Sequence, residues 1–287
     1  MPRHLPPVVI GQSFYATGDI DMCIEMKIKA AFVILTSTLL LAGCGGGGSG
    51  QSSSTPAAIA IRGVYFGSYS INGVSGSNTP VYGAIQSGGY GYFANTQGVT
   101  YVLSGLHDSG SYSGMLTAYA PPGQTFSTGL NIADFNVSGN ASDNGTYVTA
   151  VNGNFANSSE SGSFTINYQP ITSTPLSLSG LAGSYFGYYW GSGSTSIALT
   201  VNANGSFSGS DGFGCQISGT LVPVPGYDLA QVTVSSTGQS VCAGTLSGLA
   251  FEFTQDLSGQ FGHAAGTYFY VGVSNANSGF AAELKLQ

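Results

Sequence analysis

A chain of 287 residues with a formal charge of −7, 42% hydrophobic residues and only 6% charged ones has room for one large domain or two ordinary ones, and enough apolar mass for a core. Its 45 glycines follow no Gly-X-Y period, which excludes collagen, and 17 tyrosines with 16 phenylalanines exclude simple disorder, which is poor in aromatics. Beyond Cys44 only Arg62 and Lys285 are cationic, against nine carboxylates between Asp108 and Glu283, so nucleic-acid binding and charge-driven docking on an anionic bilayer are excluded.

Residues 1–25 carry Asp19, Asp21 and Glu25 ahead of a segment that ought to begin with positive charge. They read as an extension, with translation expected to start at Met26; Cys23 then falls outside the biological protein. Residues 26–43 have the layout of a secretory signal: a basic start at Lys27 and Lys29, then an uncharged apolar run of about a dozen residues, too short to span a bilayer comfortably. The run ends in Leu41-Ala42-Gly43-Cys44, which resembles the lipobox of bacterial lipoproteins. Small residues there suit a membrane-embedded peptidase. The Cys44 thiolate accepts a diacylglyceryl group and the freed amine a further acyl chain, and two or more chains make anchoring stable. Gly45 in place of Asp favours, by resemblance to enterobacterial sorting signals, transfer to the outer membrane of a Gram-negative host. The predicted partner is thus a membrane, reached through the lipid on Cys44, and residues 44–60 form a Gly/Ser tether.

Patterning starts near Arg62. Gly63-Val-Tyr65-Phe66-Gly67-Ser-Tyr69 is echoed by Gly183-Ser-Tyr185-Phe186-Gly187-Tyr-Tyr189 at an offset of 120 residues. A linker at 170–179, containing Pro170 and Pro175, separates a first β domain at 61–169 from a second at 180–287. Apolar alternation predicts strands at Phe164/Ile166/Tyr168, Ile197/Leu199/Val201, Leu249/Phe251/Phe253 and Phe280/Ala282/Leu284/Leu286. The second half reads as eight strands near 183–189, 196–202, 205–210, 213–222, 228–234, 244–254, 266–273 and 279–286. Turn signals stand at Asn72-Gly73, Asn144-Gly145, Asn152-Gly153, Asn204-Gly205 and Asp211-Gly212. The expected class is all-β: two antiparallel up-and-down barrels or strongly curved sheets, since closure removes exposed edges, with a pair of β-sandwiches as the rival.

In an oxidising compartment Cys215 and Cys242 are expected to form a disulfide; there is no C-x-x-C and no histidine near them in sequence. Catalysis has no anchor point. The body holds only His107 and His263, and no G-x-S-x-G, H-E-x-x-H or P-loop is present. Asp143-Asn-Gly145 and Asp211-Gly212 lack the repeated acidic ligands of calcium loops and read as turns. No metal or other cofactor is predicted. The string Tyr185, Tyr188, Tyr189 and Trp190 is a candidate aromatic binding face for a protein or glycan partner, against the alternative that these rings are core.

Residues Gly205 to Thr220, with Cys215, followed by Cys242 and Gly244-Thr-Leu-Ser-Gly248, resemble uncharacterised two-repeat β-rich lipoproteins of proteobacteria, a family with no assigned activity. More loosely, two β units behind a lipid anchor look like surface-lipoprotein barrels of the transferrin-binding type. The expected function is that of a monomeric, non-enzymatic envelope lipoprotein that binds a partner or supports the envelope. The alternatives are a carrier of a small apolar ligand inside a lipocalin-like barrel and an envelope hydrolase. Interior volume discriminates: packed rings exclude a carrier, and a lined cavity of several hundred Å³ supports one.

Overall fold

A computed structural model describes residues 57–170, 175–192 and 195–287. The extension at 1–25, the signal segment at 26–43, Cys44 and most of the tether lie outside the described residues, as does part of the 170–179 linker.

Sixteen strands form two closed antiparallel barrels. The first comprises β1 (Gly63–Ile71), β2 (Thr79–Gln86), β3 (Tyr90–Ala94), β4 (Thr100–Ser104), β5 (Gly110–Tyr119), β6 (Ile132–Asp143), β7 (Val148–Ala156) and β8 (Ser161–Tyr168). The second comprises β9 (Gly183–Tyr189), β10 (Ser196–Val201), β11 (Ser206–Asp211), β12 (Gln216–Pro223), β13 (Leu229–Thr237), β14 (Gly244–Phe253), β15 (Tyr268–Ser274) and β16 (Gly279–Leu286). Within each barrel every strand pairs with the next, and β1 with β8 and β9 with β16 close the rings. Closure is therefore the way this glycine-rich chain disposes of its edges, and barrels prevail over sandwiches.

The internal repeat marks the opening strand of each barrel. Tyr65 on β1 and Tyr185 on β9 both point inward, and their hydroxyls donate to the carbonyls of Val148 (3.1 Å) and Leu181 (3.0 Å). Strand alternation then sorts the rest. On β6, Phe135 and Val137 face the interior while Asp134, Asn136 and Ser138 face out.

Gly73, Gly145 and Gly205 take positive φ in their turns, and Asp143 Oδ1 accepts from the Gly145 amide at 2.9 Å. Two turn expectations need correction. Asn152-Gly153 sits inside β7, because the rings of Tyr112 and Phe164 lie across Gly153 and leave no room for a side chain. After Asp211 the positive φ belongs to Gly214, and Asp211 Oδ1 holds the turn by accepting from the amides of Phe213 (3.0 Å) and Cys215 (2.9 Å).

That turn carries the disulfide. Cys215 and Cys242 are bonded, with Cα atoms 5.7 Å apart, and tie the β11–β12 loop to the β13–β14 loop. The bridge closes a sequence separation of 27 residues. By chain-entropy arithmetic it contributes about 3 to 4 kcal/mol. Reduction, or a Cys215→Ser/Cys242→Ser double variant, is expected to lower the urea-unfolding free energy by about that amount. A change below about 1 kcal/mol would mean that the reduced unfolded chain is already compact.

The two barrels belong to one compact unit. The outer face of β1–β3 packs on the outer face of β13–β16 through Val64, Ala84, Ala94, Leu249, Phe251, Tyr270 and Trp190, with Phe66, Tyr82 and Phe253 partly buried beside them. This seam changes the meaning of one sequence pattern. The apolar face Leu249/Phe251/Phe253 looks out into the seam, while Leu246 and Ala250 fill the barrel. Strands β15 and β16 are accordingly buried on both faces. Where the β3–β4 loop meets the β9–β10 loop, Gly98 and Gly191, both at positive φ, approach backbone to backbone, a contact that any Cβ would block.

Candidate binding cavity

Every side chain of a barrel's inner face competes for the same interior, and the two barrels resolve this differently. In the second, Leu176 and Leu181 close one end and Tyr185, Phe207, Phe269 and Phe280 fill the middle. Tyr189 reaches the other end, where its ring meets Phe280 edge-on at 4.9 Å and its hydroxyl donates to Asp211 Oδ2 at 2.8 Å.

The first barrel is filled only at one end. There Ile61, Tyr65, Ile85, Leu106, Val148 and Val151 pack together. The incoming chain helps to plug that end: the Ile61 amide donates to the His107 carbonyl (3.0 Å) and the Ser109 amide to the Ile59 carbonyl (2.7 Å). Toward the opposite end the interior opens into a cavity of about 890 Å³. Its wall is apolar and aromatic, with Val81, Phe93, Leu103, Leu116, Phe135, Phe155, Phe164 and Ile166 among its members. One local cause of the space is a pair of small residues, Ala118 on β5 and Ala133 on β6, which face each other in register. The mouth is ringed by the β1–β2, β5–β6 and β7–β8 connections, which contribute Asn72, Val74, Phe126, Ser127, Thr128 and residues 157–161. The volume falls within the ordinary range of small-molecule sites, roughly 300 to 1,000 Å³.

Below the polar mouth, the polar groups of the wall are the hydroxyls of Tyr69 and Tyr101, which Asn95 backs. Asn95 is fully buried, and its Nδ2 donates to the hydroxyls of both Tyr69 and Tyr101 at 3.3 Å. The Tyr101 hydroxyl donates in turn to that of Tyr69 at 2.9 Å. Burial, followed by the neighbouring Tyr69 hydroxyl, pushes the Tyr101 phenol well above its ordinary value, so Tyr101 stays neutral and keeps its proton. At the rim, Glu160 is the single carboxyl that the described residues contribute to the lining, and desolvation raises it above its usual range.

The aromatic string singled out in the sequence does not make a surface. Period-two geometry turns Tyr185, 2% exposed, and Tyr189 into the second barrel, and Trp190, 1% exposed, enters the seam between Tyr82 and Tyr270. Only Tyr188 is partly accessible, packed between Phe186 and Phe261. The cavity's own residues carried no comparable sequence signal. His107 stands beside Gly89 at the plugged end and His263 lies in the β14–β15 loop. Among the described residues no three His, Cys, Asp or Glu side chains converge as a metal site would require.

Comparison with known proteins returns no match among protein-family models, curated proteins or solved structures.

Proposed function

We propose that this chain is a lipid-anchored envelope protein whose first barrel binds a small apolar molecule. The observation that carries the binding reading is the aromatic-lined cavity of about 890 Å³, open at one end of an otherwise closed barrel. Support for the anchor comes from the sequence: a lipobox ending in Cys44 after a signal-length apolar run, and the resemblance to two-repeat proteobacterial lipoproteins. The tether enters the barrel at its plugged end, because residues 59–61 pair there with the chain around His107. Non-catalytic binding is the role assigned, since among the described residues the lining sets its hydroxyls and the Glu160 carboxyl beside no histidine, cysteine or lysine that would activate them.

Solvent extraction of protein purified from its native membrane tests the binding reading. Mass spectrometry is expected to find an apolar molecule at near-stoichiometric yield from the wild type and none from Ala133→Trp, which fills the cavity from β6. The variant is expected to melt at or above the wild-type temperature, because it fills space rather than displacing packed atoms. Equal recovery from both proteins would place the molecule elsewhere. Metabolic labelling with a fatty-acid probe, abolished in Cys44→Ala, tests the anchor separately.

A further inference from the structure

Apolar cavities are common to carriers of very different ligands, and the polar groups at the wall decide between them. Here those groups have a definite sign. Among the described residues the lining contains no Lys, Arg or His. Arg62 lies over the Tyr227 ring at 4.6 Å and Lys285 over the Tyr268 ring at 5.6 Å, so the two cations of the described residues are both engaged with second-barrel rings. At the mouth stands Glu160, which offers an incoming anion repulsion when ionised and no countercharge when protonated. A carboxylate head entering this cavity would lose water without gaining a cation, a costly exchange.

The hydroxyl array supplies the complementary half. Asn95 and Tyr101 both donate to the Tyr69 oxygen, which fills its acceptor capacity and leaves its own proton without an acceptor among the described residues. Tyr69 lines the cavity, so that proton is the donor the wall holds ready.

We infer that the first-barrel cavity selects uncharged apolar molecules bearing an acceptor oxygen, such as an ester, ketone or ether, and rejects the matching fatty-acid anions. The inference rests on the carrier reading above and names its ligand class.

The test uses the full chain in phospholipid nanodiscs, with protein-free nanodiscs subtracted, and three tritiated probes that share one tail: methyl palmitate, palmitate at pH 7.5, and hexadecane. Methyl palmitate is expected to bind at least tenfold more tightly than palmitate and about five- to tenfold more tightly than hexadecane. Tyr69→Phe is expected to erase the ester's advantage over hexadecane while leaving hexadecane binding within twofold. Glu160→Lys, an exposed rim substitution, is expected to raise the ratio of palmitate to ester affinity at least fivefold. Binding of all three probes with equal affinity, or an ester advantage that survives Tyr69→Phe, overturns the inference and leaves the carrier reading standing. Binding of none overturns both.

Discussion

Stability is expected to fall steadily as pH rises from about 5 to about 9, and Glu283→Gln is expected to remove most of that decline. Glu283 sits on the outward face of β16 but is only 1% exposed, because the segment after β14 folds over it. Its carboxyl accepts from the amides of Leu257 and Ser258, each at 3.1 Å. Asp256, also buried, accepts from the Ser258 hydroxyl (2.8 Å) and the amides of Gly259 (2.7 Å) and Phe261 (2.6 Å). Two adjacent buried carboxyls cannot both ionise, and the environment separates them. Burial first, then the hydrogen bond to Asp256 and its charge, push Glu283 from 4.5 up to about 9. Asp256 goes the other way: burial would raise it, but the bonds from Glu283, Ser258 and the loop amides outweigh that and lower it.

The signs then follow. A carboxyl whose folded pKa is raised makes the native state bind more protons than the unfolded chain between the two values. The stability from Glu283 is complete below about 4.5 and is lost as pH climbs through about 9, with a slope approaching about 1.4 kcal/mol per pH unit. The contribution of Asp256 is present above its unfolded value of 3.8 and is lost as pH falls through its lowered folded value. Maximum stability is therefore expected near pH 4 to 5, lower than the pH 5 to 8 usual for globular proteins. Glu160 and Glu252 are raised too, which leaves a smaller slope of the same sign in Glu283→Gln. Urea-unfolding free energies at pH 5, 7 and 9 read the effect directly. A wild type equally stable at all three, or a variant with an unchanged slope, would refute the shared proton.

How much of this was legible in the sequence depends on which face of a strand the relevant residues occupy. Inward alternation at Ile197/Leu199/Val201 and Phe280/Ala282/Leu284 is local, so all eight strands of the second half could be placed within a few residues. In the first half, Val64, Phe66, Tyr82 and Tyr92 add apolar groups on the outward face, against the seam, and blur the period-two signal. The same seam decides between the two readings left open for Trp190, because a ring buried on the outside of one barrel is hidden only by the presence of the other. The cavity was the least legible feature. It depends on Ala118 facing Ala133 across a register that no single strand specifies. The Cys215–Cys242 bond was readable because it needed only a compartment and two remaining thiols.

The seam also sets the second large expected effect. Trp190 is the largest fully buried side chain in the protein's described part, with its ring edge-on to Tyr82 at 5.9 Å and to Tyr270 at 5.4 Å, while Tyr270 stacks on Phe251 at 4.5 Å. Truncating such a ring costs the transfer energy of the indole plus the cavity it leaves, about 3 to 5 kcal/mol for Trp→Ala. Its Nε1 has no hydrogen-bond partner among the described residues, so that loss is one of packing, and Trp190→Phe, which keeps a ring between the two tyrosines, is expected to cost less than half as much. Because the ring belongs to the contact between barrels rather than to either interior, the loss falls on their coupling. The wild type is expected to unfold in one urea transition. Trp190→Ala is expected to split it in two, with the later step belonging to the disulfide-bridged second barrel and moving to lower urea on reduction. Far-UV circular dichroism follows both steps. A Trp190→Ala protein that still unfolds in one transition, less than about 1 kcal/mol below the wild type, would show that the barrels stand independently of the aromatic seam.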